Sequence, residues 1–229
     1  MQWSTRLVDR FRFDRLRLRR AAVRYAAHGW AVTPGAYLSG ERFNCGRAGC
    51  PIMGCHPAME SWEDDASTDV ARVGGWWRHQ PYTVLLATGG SFDVLEVPAP
   101  VGLRVLGAVR LHTGVIGPER GDGRGPVAVT PSGRWMFFVR PESALRPELA
   151  SCLDVLHHGR GSWIPAAPSR TPEGPVRWAV APEQHDWHLP ASETVQAMLL
   201  DALDALGRRT PRTVTLSVPR QMSTARRAA

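Results

Sequence analysis

Residues 83–102, TVLLATGGSFDVLEVPAPVG, decide the fold that the sequence predicts. Two runs rich in β-branched and aliphatic residues, 83–87 and 92–97, flank a turn that contains two glycines. Such runs on either side of a short glycine turn are typical of a β-hairpin. The second run carries Asp93 and Glu96 and ends at Pro98. Since carboxylates are the ligands that divalent metals prefer, this stretch predicts a strand that could carry a metal-dependent active site.

The segments around this stretch alternate between helical and extended patterns. Apolar residues near a 3.6-residue period and short runs bounded by glycine or proline separate the two kinds of segment. The predicted helices are 5–28, 66–79 with a cap at Ser67 or Thr68, 102–111 and 192–206, and the further strands are 30–32, 127–130, 134–140, 153–156, 163–165 and 176–179. This order predicts an α+β (α/β) fold in one domain, residues 1–207, followed by a basic, disordered tail, residues 208–229.

The charge of the chain points to a phosphate-bearing partner. All 28 basic residues are arginine, and the formal net charge is +7. The lack of lysine excludes a P-loop lysine and a Schiff-base lysine. Arginine binds two phosphate oxygens at once, so nucleic acid or nucleotides are plausible partners. The alternative is a GC-rich gene that encodes arginine wherever a positive charge is needed.

The sequence contains no apolar run long enough for a transmembrane helix, and its arginine-rich start lacks the apolar segment of a secretory signal. We therefore expect a cytoplasmic protein with no membrane partner.

Residues 39–61 form a segment rich in glycine, cysteine and proline that lacks any periodicity. It contains Cys45, Cys50, Cys55 and His56 within twelve residues. Thiolates and imidazole are the usual ligands of structural zinc, so these four residues are the predicted metal ligands. The alternative is a turn-rich loop with free thiols.

Taken together, these segments resemble the bifunctional DNA primase/polymerase N-terminal domain, a branch of the archaeo-eukaryotic primase superfamily. The resemblance covers about residues 21–182 and rests on six stretches in the right order. They are RYAAHGWAVTPG, the cysteine-rich run that ends in Gly54-Cys55-His56-Pro57, ASTDVARVGGWW, LLATGGSFDVLEV, TPSGRWMFF and LDVLHHGRGSWIPAAPS. The resemblance implies a primase-like core of mixed or antiparallel sheets packed with helices, and a cysteine-rich loop as an insertion.

The resemblance also implies a set of catalytic positions. Family members hold Mg²⁺ or Mn²⁺ with two carboxylates on the central strand and a third on a later strand, and a histidine contacts the triphosphate. The first carboxylate corresponds to Glu96 and the third to Asp154. Pro98 stands at the second carboxylate and Trp135 at the histidine, and neither can serve as a metal ligand. Asp93 is three residues from Glu96 and therefore points to the opposite face, so we interpret it as a turn or edge residue.

We favour a degenerate, non-catalytic member that keeps the fold and the zinc loop and binds nucleic acid (DNA before RNA), nucleotides or replication proteins. The alternative is an active primase or polymerase that uses Glu96 and Asp154 with Mg²⁺ or Mn²⁺. A third hypothesis is a metal-dependent hydrolase with His157 or His158 beside Asp154. For that histidine pair the competing interpretation is a solvated turn before Gly159.

Overall fold

The computed structural model describes residues 2–112, 123–141 and 144–207. The helices are α1 (Gln2–Ala27), α2 (Trp62–Asp65), α3 (Val70–Trp76), α4 (Ala99–His112), α5 (Pro147–Ala150) and α6 (Ser192–Ala205). The strands are β1 (Val32–Gly35), β2 (Tyr37–Ser39), β3 (Arg42–Asn44), β4 (Thr83–Ala87), β5 (Asp93–Pro98), β6 (Val127–Val129), β7 (Arg134–Val139), β8 (Leu156–His158), β9 (Trp163–Pro165), β10 (Arg170–Thr171), β11 (Gly174–Pro175) and β12 (Arg177–Val180). The α+β class is confirmed. The predicted tail, 208–229, lies outside the described residues.

The strands form two main sheets and two small ribbons. The larger sheet has the order β12-β6-β7-β5-β8, and the smaller has the order β1-β4-β9. The strands β2 with β3 and β10 with β11 make the ribbons. Every pairing between these strands is antiparallel. The strand β5 lies between β7 and β8, so its backbone groups are paired on both sides.

The hairpin predicted for residues 83–102 was wrong, although both of its strands exist. The strand β4 pairs with β1 and β9, whereas β5 pairs with β7 and β8 in the other sheet. The turn between them therefore carries the chain from one sheet to the other. Gly89 has a φ of +84°, and a Cβ placed on it would lie 2.2 Å from the backbone N and Cα of Arg160. Glycine is needed here because the turn between β8 and β9 crosses directly over it.

Two apolar clusters pack against opposite faces of the larger sheet. The first joins α1, α3 and the smaller sheet to Val94 and Phe138. The second joins α4 and α6 to Leu95 and Val97. Neighbouring residues of β5 therefore enter different clusters, as the alternation of side chains along a strand requires. None of the described helices combines the length and apolarity that a membrane span needs.

Two further elements differ from the sequence prediction. The helix predicted at 66–79 is shorter, because within that span only α3 (Val70–Trp76) is helical and α2 ends before it, at Asp65. The cap of α3 is Asp69, whose Oδ1 accepts from the backbone N–H groups of Ala71 and Arg72. Ser67 pairs instead with Val32 of β1 through backbone hydrogen bonds, which holds it in an extended conformation. The strand predicted at 153–156 begins only at Leu156, after a turn.

Candidate functional site

Glu96 lies on the strand that runs between β7 and β8, and each neighbour brings one cationic or titratable side chain to it. Pro98 is the register partner of Arg134, and Val94 is the register partner of His158. Cross-strand partners share a face, and alternate residues of one strand do as well. Arg134 and His158 are therefore diagonal neighbours of Glu96 on the same face of the sheet.

Both carboxylate oxygens of Glu96 are engaged. The Nε of Arg134 donates to Oε1 at 2.7 Å, and the Nε2 of His158 lies 2.9 Å from Oε2. A carboxylate only accepts, so Nε2 carries a proton, and the Nδ1 of His158 is 3.0 Å from the Oγ of Ser162. Burial alone would raise the pKa of Glu96, but the hydrogen bonds from His158 and Arg134 outweigh it and lower that pKa. Glu96 is thus held ionised within a closed set of partners.

Arg134 also fastens the backbone around the site. Its Nη2 donates to the carbonyl oxygen of Glu96 at 3.3 Å and to that of Asp154 at 3.2 Å. Asp154 was expected on a strand, but it lies in the turn that precedes β8. The guanidinium therefore connects β7, β5 and this turn. These bonds use the Nε and Nη2 donors of Arg134, which are then not available to an incoming anion.

The opposite face of β5 carries a second acid–histidine pair. The Nε2 of His157 lies 2.9 Å from the Oδ2 of Asp93. Asp93 is buried, and as a residue of β5 it is the register partner of Val139 in β7. Its interpretation as a turn or edge residue was therefore wrong. The interpretation of His157 and His158 as a solvated turn was also wrong, because both are strand residues with carboxylate partners.

Trp135 does not face Glu96. It is the register partner of Val97, is 8% exposed, and belongs to the second apolar cluster. A Cβ on Gly102 of α4 would lie 2.5 Å from the Cγ of Trp135, so the ring packs directly under that helix. Trp135 is a core residue, and the residue of β7 that reaches Glu96 is its neighbour Arg134.

The cysteine-rich loop brings three of its four predicted ligands together. The ligand atoms of Cys45, Cys50 and His56 all lie within 4.8 Å of one another, and in the described part of the chain this is the one group of three or more that could hold a metal ion. The β2–β3 ribbon delivers Cys45, and the loop returns to β1 through the backbone hydrogen bond from Ala36 to His56 at 2.7 Å. This group does not include Cys55.

Local hydrogen bonds orient the histidine of this group. The Nδ1 of His56 lies 2.7 Å from the carbonyl oxygen of Gly54, which accepts its proton and leaves Nε2 as the lone-pair nitrogen 3.5 Å from the Sγ of Cys50. Burial would raise the pKa of Cys45, but hydrogen bonds from the side chain and backbone of Arg47 lower it to about 6. By contrast, burial raises the pKa of Cys55 to about 12. The residues present therefore fit a thiolate–imidazole metal site with three protein ligands.

A family model described as "Bifunctional DNA primase/polymerase, N-terminal" matches residues 22–194, about three quarters of the chain. The chain belongs to this family. A search of the curated proteins and a search of the solved structures each found no match. The family match includes every strand of the described structure, and therefore both Asp93 and Glu96. The residues around Glu96 can therefore be compared with what a primase/polymerase needs.

The residues that the resemblance assigns to the first and second catalytic carboxylates, Glu96 and Pro98, do not fit divalent metals. Both oxygens of Glu96 already accept hydrogen bonds from cationic or proton-bearing groups. Pro98 has no ligand atom, and its register partner, Arg134, would repel a cation. Mg²⁺ needs free carboxylate oxygens, and two-metal catalysis needs several of them. We therefore derive no metal-dependent step at this site.

Sequence reasoning missed Arg134, His157 and His158 as partners of the acidic residues. The signal was present in the spacing. Asp93 and Glu96 are an odd number of residues apart, and so are His157 and His158, so each pair must divide between the two faces of its strand. What the sequence alone did not supply was that β5 and β8 are neighbours.

Proposed function

We propose that this chain is a primase/polymerase-family domain that does not polymerise nucleotides and acts as a nucleic-acid-binding module. The observation that carries the proposal is that both carboxylate oxygens of Glu96 already accept hydrogen bonds, from Arg134 at 2.7 Å and from His158 at 2.9 Å. A metal ion at this position would have to displace both partners. The arginine-rich composition and the net charge of +7 support nucleic acid as the ligand.

The test is an extension assay with the full chain. Primed and unprimed single-stranded DNA, labelled nucleotides and Mg²⁺ or Mn²⁺ are incubated with the wild type and with Glu96→Ala and Asp154→Ala. We expect no metal-dependent product with any of the three. Extension by the wild type that both variants lose would overturn the proposal and favour the active enzyme that uses Glu96 and Asp154.

Nucleic-acid binding is tested separately, by titrating labelled DNA and RNA with the wild type at several salt concentrations. We expect binding that weakens steeply as salt rises, because arginine–phosphate contacts release counterions, and we expect DNA to be preferred. A wild type that ignores both nucleic acids at low salt would contradict the binding role and point to a protein partner.

We also propose that the loop holds one structural zinc ion through Cys45, Cys50 and His56. Two thiolates and one imidazole suit zinc better than harder cations, and three protein ligands leave one position for water or a further donor. When bound, the ion would cross-link a loop that contains little regular structure. No chemistry on the nucleic acid is assigned to it.

Elemental analysis of protein purified under reducing conditions tests the zinc proposal. We expect about one zinc per chain in the wild type and in Cys55→Ser, and a strong loss in Cys45→Ser and Cys50→Ser. Wild-type protein without stoichiometric metal would refute the site. Loss of zinc from Cys55→Ser would instead add Cys55 to the ligands.

A further inference from the structure

A concave surface lies between α1 and the segment that leads into β12, away from Glu96 and from the cysteine-rich loop. Its volume is about 910 Å³, and its lining includes Phe13, Arg17, Arg20, Arg24, Arg177 and Trp178. We call it the arginine groove. A smaller recess that shares Asp14, Arg17 and Pro168 with it adds Arg170. A groove of this size lined by several arginines is large enough for a segment of a polymeric ligand.

The groove residues of α1 are placed by helical periodicity. Phe13, Arg17, Arg20 and Arg24 follow one another at spacings of four, three and four residues, which puts them on one face of the helix. Along the helix axis this stripe extends for about 16 Å, at a rise of about 1.5 Å per residue.

Two other arginines of α1 have a structural task. The Nη1 of Arg15 donates to the carbonyl oxygen of Arg78 at 2.8 Å, and the Nε of Arg19 donates to that of Gly74 at 2.9 Å. These bonds attach α1 to α3 and its C-terminal end. The helix therefore carries two sets of arginines, of which one is used for packing and the other lines the groove.

Part of the positive charge of the groove has no partner among the described residues. There, the side chains of Arg17, Arg20 and Arg177 make no hydrogen bond or ion pair, whereas Arg24 pairs with Glu183 at 3.1 Å. Asp14 is the acidic residue of the lining. Apolar surface lies beside this charge, since Phe13 is 73% exposed and Leu16 is 44% exposed. Positive charge next to exposed aromatic surface matches the composition of grooves that bind single strands.

We propose that the arginine groove binds single-stranded DNA, with Arg17, Arg20 and Arg177 on phosphates and a base stacked on Phe13. This inference rests on the proposed nucleic-acid-binding function and assigns it a surface. A single strand fits better than a duplex because its unpaired bases can reach Phe13 and Trp178, while duplex bases are already stacked on one another. Phe13, Arg17 and Arg20 precede residue 22, where the family match begins, so the match covers only Arg24 of the stripe.

The main experiment compares two variants of the full chain that lose the same charge. Arg17→Gln/Arg20→Gln/Arg177→Gln removes three arginine charges from the groove, and Arg42→Gln/Arg72→Gln/Arg104→Gln removes three exposed arginines elsewhere. Binding to a fluorescent oligothymidine is followed by anisotropy over a range of salt concentrations. We expect the groove variant to bind at least about 30-fold more weakly at about 0.1 M salt, with a log–log salt slope shallower by about 2, since each phosphate contributes about 0.7. The control should change by less than about threefold.

A second variant separates stacking from charge. Phe13→Ala should lower the affinity by about fivefold or more and leave the salt slope unchanged, because a lost stacking contact releases no counterions. The fold of each variant is checked by circular dichroism and thermal unfolding, and we expect spectra and melting temperatures like those of the wild type. All these substitutions are at exposed positions, and glutamine is a good helix former.

The outcomes separate the groove from the proposed function. If the wild type binds and both triple variants weaken equally, the charge acts without a defined site and the groove is refuted while nucleic-acid binding stands. If a duplex of the same length binds more tightly through the same arginines, the assignment to single strands is refuted. If the wild type binds no nucleic acid at low salt, the proposed function fails as well.

Discussion

At the scale of single residues, the cluster of Glu96, Arg134 and His158 differs from an ordinary surface ion pair through its burial. The side chain of Glu96 is 14% exposed and that of Arg134 is 25% exposed. Removing the arginine would leave a largely buried carboxylate with one partner fewer, and an uncompensated charge in such a position is costly. The exposed pair of Arg72 and Asp65 has the same N–O distance, 2.7 Å, and provides a matched comparison.

We therefore predict that Arg134→Met lowers the free energy of unfolding by about 3 kcal/mol, and that Arg72→Met lowers it by less than about 1 kcal/mol. Urea denaturation at neutral pH measures both. Equal effects would mean that burial does not distinguish the two pairs.

The titration of Glu96 gives a second prediction at this scale. Its pKa in the folded chain is lowered from the ordinary value of 4.5 by the hydrogen bonds that outweigh its burial. A group with a depressed folded-state pKa stabilises the fold above its unfolded pKa, and this contribution is lost as the pH falls through the folded value. The wild type should therefore lose more unfolding free energy than Glu96→Gln as the pH falls below about 4.5. Parallel pH profiles of urea midpoints would contradict this.

At the scale of elements, the sequence predicted most strands but not their pairing. The runs at residues 83–87 and 92–97 were found, and the glycine turn between them was found as well. A two-glycine turn between two apolar runs is equally compatible with a hairpin and with a crossing between sheets. The outcome depends on β1, β7, β8 and β9, which supply the partners on both sides of each strand. These are long-range contacts that local periodicity does not encode.

The turn itself can be tested, because its two glycines differ in surroundings. A Cβ on Gly89 would lie 2.2 Å from the backbone of Arg160 at a φ of +84°, whereas a Cβ on Gly90 would meet nothing within 4 Å. We predict that Gly89→Ala destabilises the fold by about 2 kcal/mol or more, through strain and a backbone clash, and that Gly90→Ala changes stability by less than about 1 kcal/mol. Thermal unfolding measures both. A Gly89→Ala protein that melts like Gly90→Ala would mean that the turn can move away from Arg160.

At the scale of the whole molecule, the resemblance predicted the fold class and the family correctly, but it did not predict which side chains contact Glu96. Glu96 and Asp154 were located from motifs, yet their surroundings were not. The position of Trp135 beside Arg134 illustrates the reason, because neighbouring residues of β7 point to opposite faces and only the register with β5 decides which of them meets Glu96. At Pro98, where the resemblance implies a second carboxylate, the sequence alone reveals a side chain without a ligand atom, which needs no three-dimensional information.

The folded unit also extends beyond the family match, which ends at residue 194. The helix α6 continues to Ala205, and Val195, Leu199 and Leu203 are buried in the second apolar cluster, against the face of the sheet that holds Trp135. We predict that Leu199→Ala lowers the free energy of unfolding by about 3 kcal/mol, because it leaves a cavity under the sheet. Leu206→Ala, at a position 36% exposed, should cost less than about 1 kcal/mol. Urea denaturation followed by tryptophan fluorescence measures both, and similar midpoints for the two variants would mean that α6 is not part of the cooperative unit.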